Sequence, residues 1–133
     1  MKGKFSLVLV LALLAACAGK EQSDLREALL AKLQDDSDLK DYKLDPGEIA
    51  DCVVNDLTDD LPGFPGDPRR KQYLTAYARF YSVKGSGDFE KVAEEYKDLF
   101  GSVKAAHQAA LRMTDYIMTC MGQAIERSGP TER

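Results

Sequence analysis

Apolar residues recur along this chain at spacings of three and four, the signature of helices that bury one face. Leu25, Leu29 and Leu33 fall at i, i+4 and i+8, and Leu30 widens the stripe. This predicts a first helix from Ser23 or Asp24. The acidic run Asp35-Asp36-Ser37-Asp38 ends it, since carboxylates are disfavoured at a helix's negative terminus. Asp45-Pro46-Gly47-Glu48 opens a second helix with an N-cap carboxylate, proline at the first helical position and glutamate placed for a capping box. Ile49, Cys52, Val53 and Leu57 then share a face, prolonged by Leu61, and the proline- and glycine-rich segment 61–66 breaks the helix. Asp67-Pro68 repeats the cap-and-proline signal for a third helix carrying Tyr73, Leu74, Tyr77, Phe80 and Tyr81. Lys84-Gly85-Ser86-Gly87 stops it, and Asp88 is placed to cap a fourth with Phe89, Val92, Ala93, Tyr96 and Phe100 on its apolar face. Gly101 and Ser102 lead into a fifth. Its stripe reads Val103, Ala110, Leu111, Thr114, Ile117, Met118, Met121 and Ile125, with Cys120 at the edge, and Gly129-Pro130 closes it. No stretch alternates with period two over a useful length. The expected fold is all-α, with about five helices in a small bundle or orthogonal array.

One apolar run does not fit this pattern. Phe5 to Leu14 is continuous apart from Ser6, follows Lys2 and Lys4, and leads through small residues to Cys17. That is the layout of a secretory signal peptide, and it falls short of the ~20 residues that span a bilayer comfortably. The ending Leu14-Ala15-Ala16-Cys17 closely resembles the lipobox of bacterial lipoproteins. The resemblance implies that residues 1–16 are cleaved, that the Cys17 thiol receives a diacylglyceryl group, and that the new amino terminus is acylated. Three acyl chains exceed the two signals needed for stable anchoring. In that family an aspartate after the cysteine retains the protein in the inner membrane. Ala18 stands there, which implies the outer membrane, facing the periplasm. Residues 17–23 then form the lipidated cysteine and a short polar tether, and 24–133 a single helical domain.

Charge and cysteine usage sharpen this picture. The formal net charge is −4 and becomes −6 once Lys2 and Lys4 are removed, with the negative excess concentrated in residues 21–60. An acidic domain is repelled by anionic lipid, so the acyl chains must do the holding. No basic stripe is available to neutralise phosphates, which argues against nucleic acid as a partner. Of three cysteines, lipid consumes Cys17, leaving Cys52 and Cys120 as an even pair in an oxidising compartment, where a disulfide is expected. Such a bridge closes a loop of roughly 70 residues, on the order of 4 kcal/mol in the chain-entropy model.

Candidate chemistry is sparse. EF-hand registers starting at Asp36 or Asp56 fail, with Asp41 or Leu61 at the position that needs glycine, so no metal or cofactor is expected. His107 is the only histidine, and no Gly-x-Ser-x-Gly elbow accompanies it. Adjacent carboxylates such as Glu94-Glu95 and Asp59-Asp60 point to different helix faces. The strongest binding signature lies around the third helix. Arg69 and Arg70 stand in its first turn, where the helix dipole opposes positive charge, beside a loop displaying Phe64 and followed by Tyr73 and Tyr77. Aromatics with arginine are what interfaces enrich. The expected function is a lipid-anchored, non-enzymatic periplasmic binding protein that docks onto another envelope protein, of adaptor or immunity type. The competing class is a small cell-envelope hydrolase using carboxylates or His107.

Overall fold

A computed structural model describes residues 19–129. The expected signal peptide, Cys17, Ala18 and the residues after Gly129 lie outside them. Seven α-helices and no strands occur among the described residues: α1 (Lys20–Leu33), α2 (Ser37–Asp41), α3 (Pro46–Asp60), α4 (Pro68–Ser82), α5 (Ser86–Glu95), α6 (Lys97–Phe100) and α7 (Val103–Ser128). None of these is long and apolar enough to cross a membrane.

The helices beyond five are single turns, too short to leave a periodic mark. The acidic run both ends α1 and starts α2: Asp36 caps α2 by accepting hydrogen bonds from the Asp38 and Leu39 amides at 2.9 and 3.1 Å. That capping seats Leu39 in the core, 1% exposed. The fourth expected helix is divided at Tyr96, which ends α5 and precedes α6. Its cap position is Gly85, and Asp88 sits inside the first turn, where its charge favours the positive helix end.

α1 begins earlier than Ser23. The Ser23 amide bonds the Gly19 carbonyl, and Lys20 pairs with Asp24 one turn on at 2.8 Å. Residues 20–23, expected in the tether, therefore belong to α1. Asp45 caps α3 through the Gly47 amide, but Glu48 does not complete a capping box. It pairs instead with Arg127, tying the start of α3 to the end of α7.

Two apolar clusters share α4 and α7. The larger joins Leu25, Leu29 and Leu33 of α1 to Ile49, Val53 and Leu57 of α3, with Leu74 and Tyr77 of α4 and Met113 and Cys120 of α7. The smaller gathers Phe80 of α4, Val92 and Ala93 of α5, and Ala106 and Ala110 of α7. Phe100 links them, meeting Tyr73 and Tyr77 edge-on at 5.3 and 5.7 Å. The Cys52 and Cys120 sulfurs are joined, clamping α3 to α7 with their Cα atoms 5.9 Å apart. Cys120 is fully buried and not at the edge of its face.

The long helix departs most from the pattern read in the sequence. Ala106, Ala109, Ala110, Met113, Cys120 and Ala124 form its buried side. Leu111, Met118 and Ile125 are exposed, at 69%, 66% and 37%. The bulky stripe is turned about a third of a turn away from the core.

Candidate binding surface

The residues singled out around α4 do not come together as one exposed surface. Phe64 is exposed, in the loop where Gly63 and Gly66 both have positive φ. At Gly63 a side chain is excluded twice over, by the φ of +91° and by an Asp67 carboxylate oxygen 2.5 Å from where a Cβ would stand. Asp67 is buried, caps α4 through the Arg69 amide, and accepts from the Arg69 guanidinium at 2.8 Å. These bonds, first from the Arg69 side chain and then from its backbone, hold the Asp67 carboxyl below the usual carboxylate range. Arg70 is half-buried and donates to the Thr58 carbonyl in the last turn of α3. Both arginines thus serve their own chain. One completes a cap, and the other places a cation at the negative end of α3, although each opposes the dipole of α4.

Arg69 stays exposed, whereas the tyrosines are inward. Tyr77 is buried, and Tyr73 is half-buried with its hydroxyl donating to the Leu99 carbonyl at 3.0 Å. His107 lies between α5 and α7, 3.2 Å from a Glu90 carboxylate oxygen and edge-on to Phe89.

Beside the disulfide, an Asp56 carboxylate oxygen lies 3.7 Å from the Cys120 sulfur and 3.9 Å from that of Cys52. Neither bridged sulfur carries a proton, so these are contacts rather than hydrogen bonds. Two thiolates and a carboxylate would suit a soft metal ion, but the bridge has consumed both thiolates.

Two of the grooves that border α7 lie beside its outward face. One, of about 550 Å³, runs between α3 and α7 and is lined by Asp56, Asp59, Asp60 and Asp115, with Arg112 and Tyr116. The Tyr116 hydroxyl donates to Asp60 at 2.7 Å. Burial first, and then that carboxylate, push the phenol well above its ordinary value.

The other groove, of about 600 Å³, is apolar. Tyr42 and Tyr81 face Ile117, Met118, Met121 and Ile125 of α7 across it. Leu111 stands seven residues before Met118, and Ile125 seven after, so all three occupy equivalent positions of a heptad. Sequence reasoning had found these side chains and assigned them to the core. The signal that could have separated the two faces was the run of small residues at 106, 109, 110 and 124, which permits close helix approach.

Comparison with known protein families, characterised proteins and solved structures finds no match to this chain.

Proposed function

We infer that this protein is a non-enzymatic, lipid-anchored periplasmic binding protein that docks onto another envelope protein, as an adaptor or inhibitor, from the outer membrane. The observation that carries the reading is the outward face of α7. A 26-residue helix turns its alanines inward and sets Leu111, Met118 and Ile125 in water. Burying such a side chain is worth roughly 1.5–3 kcal/mol. Three of them in one heptad row amount to an interface core awaiting a partner.

Anchoring supports the same reading. Two residues, Ala18 and Gly19, separate Cys17 from α1, a reach of at most ~10 Å. A domain held that near the bilayer meets proteins of the same membrane at high effective concentration.

The test is a photo-crosslinking residue at position 118 of the lipidated protein in its own envelope, with position 91 on α5 as control. A discrete protein adduct from position 118, absent from 91, is expected. No adduct at 118, or equal adducts at both, removes the reading.

A further inference from the structure

Resting on that reading, we propose that the α7 groove takes a cationic amphipathic helix of the partner protein, its apolar row against Leu111, Met118 and Ile125 and its lysines or arginines against the carboxylates on either side.

The shape comes from the row. Positions seven apart on α7 leave the spaces into which side chains of a second helix insert. Gly122 lines the groove between Met118 and Ile125 and lets a backbone approach closely. Tyr42 and Tyr81 wall one side, so the groove suits one helix rather than a flat surface.

The charge comes from the rims. Asp36 and Asp38 stand along the side made by α2. Asp115 flanks the row on the other side, with Asp59 and Asp60 beyond it outnumbering Arg112 in the same groove, and Glu126 follows Ile125. Lys32 also lines the groove, but its ammonium is turned toward the Val83 carbonyl at 3.4 Å. Helices with apolar rows and basic flanks fit both features.

Charge also decides against a second copy of this chain. An isologous interface sets like patches against each other. Here both rims of the groove carry carboxylates, so a two-fold pairing would set acidic rim against acidic rim. Anionic lipid is disfavoured for the same reason.

The experiment uses the full mature chain carrying Cys17→Ser, so that no lipid or detergent is present. The probe is an 18-residue helical peptide with a leucine heptad row flanked by lysines, labelled for fluorescence anisotropy. Its controls are an analogue with glutamate for lysine and a scrambled peptide of the same composition. The lysine peptide is expected to bind and both controls to fail. Met118→Glu and Leu111→Glu should each weaken binding about 30-fold, as loss of an interface anchor does, although each makes the protein more acidic. Asp38→Lys with Glu126→Lys should weaken it about 10-fold at low salt, and the difference should fade as salt rises. All four positions are exposed, so melting should not change.

Binding that survives or tightens in Met118→Glu would show attraction by charge alone and overturn the proposal. Equal binding of the glutamate or scrambled peptide would overturn it too. A dimer in sedimentation that Met118→Glu dissolves would give the surface to a second copy, and binding to neutral lipid vesicles would give it to the bilayer. Any of these with the position-118 adduct still present in the envelope removes only the occupant's chemistry, whereas loss of the adduct removes the docking reading itself.

Discussion

Reducing the Cys52–Cys120 bridge should cost this domain most of its stability. The bridged residues are 68 apart in sequence, and a loop of that size gives about 4 kcal/mol of denatured-state entropy at 25 °C. Replacing both cysteines by alanine adds the loss of the fully buried Cys120 sulfur, about 1 kcal/mol for a small cavity. For a domain of this length, with about 2 cal/mol/K of unfolding entropy per residue, a total near 5 kcal/mol lowers Tm by roughly 20 °C. Urea unfolding of three samples separates the contributions: oxidised wild type, reduced wild type, and Cys52→Ala/Cys120→Ala, all carrying Cys17→Ser. Reduction alone should remove the larger part, with a higher denaturant slope because the freed chain exposes more surface. The double variant should lose the remainder. A reduced wild type within about 1 kcal/mol of the oxidised form would refute the entropy argument. It would mean that α3 and α7 are held by packing alone.

Cys17→Ala should move the protein from the membrane to the soluble fraction or leave unprocessed precursor, read by fractionation and immunoblot. Arg70→Met should lower stability by about 1–2 kcal/mol, since a charged hydrogen bond to the end of α3 is lost, and a thermal melt that does not move would leave Arg70 free for a partner. Asp67 has a depressed carboxyl, so its contribution is present at neutral pH and disappears as pH falls below the normal carboxylate range. Acid unfolding of Asp67→Asn should therefore show a weaker pH dependence than wild type. Tyr116 is shifted the other way: the fold holds its proton more tightly than the unfolded chain, so stability falls as pH rises above the ordinary tyrosine value of 10.0. Burial raises Tyr77 and Tyr81 as well, so a spectrophotometric titration of native Tyr116→Phe should show one late-ionising phenol fewer than wild type.

Local chemistry made much of the fold legible. Asp45 and Asp67 before prolines, and Ser102 after Gly101, cap helices where the sequence places them, because capping depends on neighbours within a few residues. The pairing of Cys52 with Cys120 was expected from the even pair that remains if Cys17 takes lipid and from the oxidising compartment that an exported chain would enter. The one-turn helices α2 and α6 were not legible, since four or five residues carry no period. The intramolecular partners of Arg69 and Arg70 were not legible for a related reason. A helix dipole is visible in sequence, whereas Asp67 folded back against Arg69 and the end of α3 beside Arg70 are products of the turn at 61–66.

The decision that matters most to function was left to tertiary structure. Hydrophobic periodicity weighs side chains by their transfer free energy, and on that scale Leu111, Met118 and Ile125 outrank Ala106, Ala109 and Ala124. Which face is buried also depends on how near the neighbouring helix stands. Clamped to α3 at 5.9 Å between Cα atoms, α7 has room on that side for alanine and cysteine. Met113 is fully buried, but Leu111, Met118 and Ile125 are left to face water, and that assignment sets a bridge, a neighbour and a row of small residues against hydrophobicity alone.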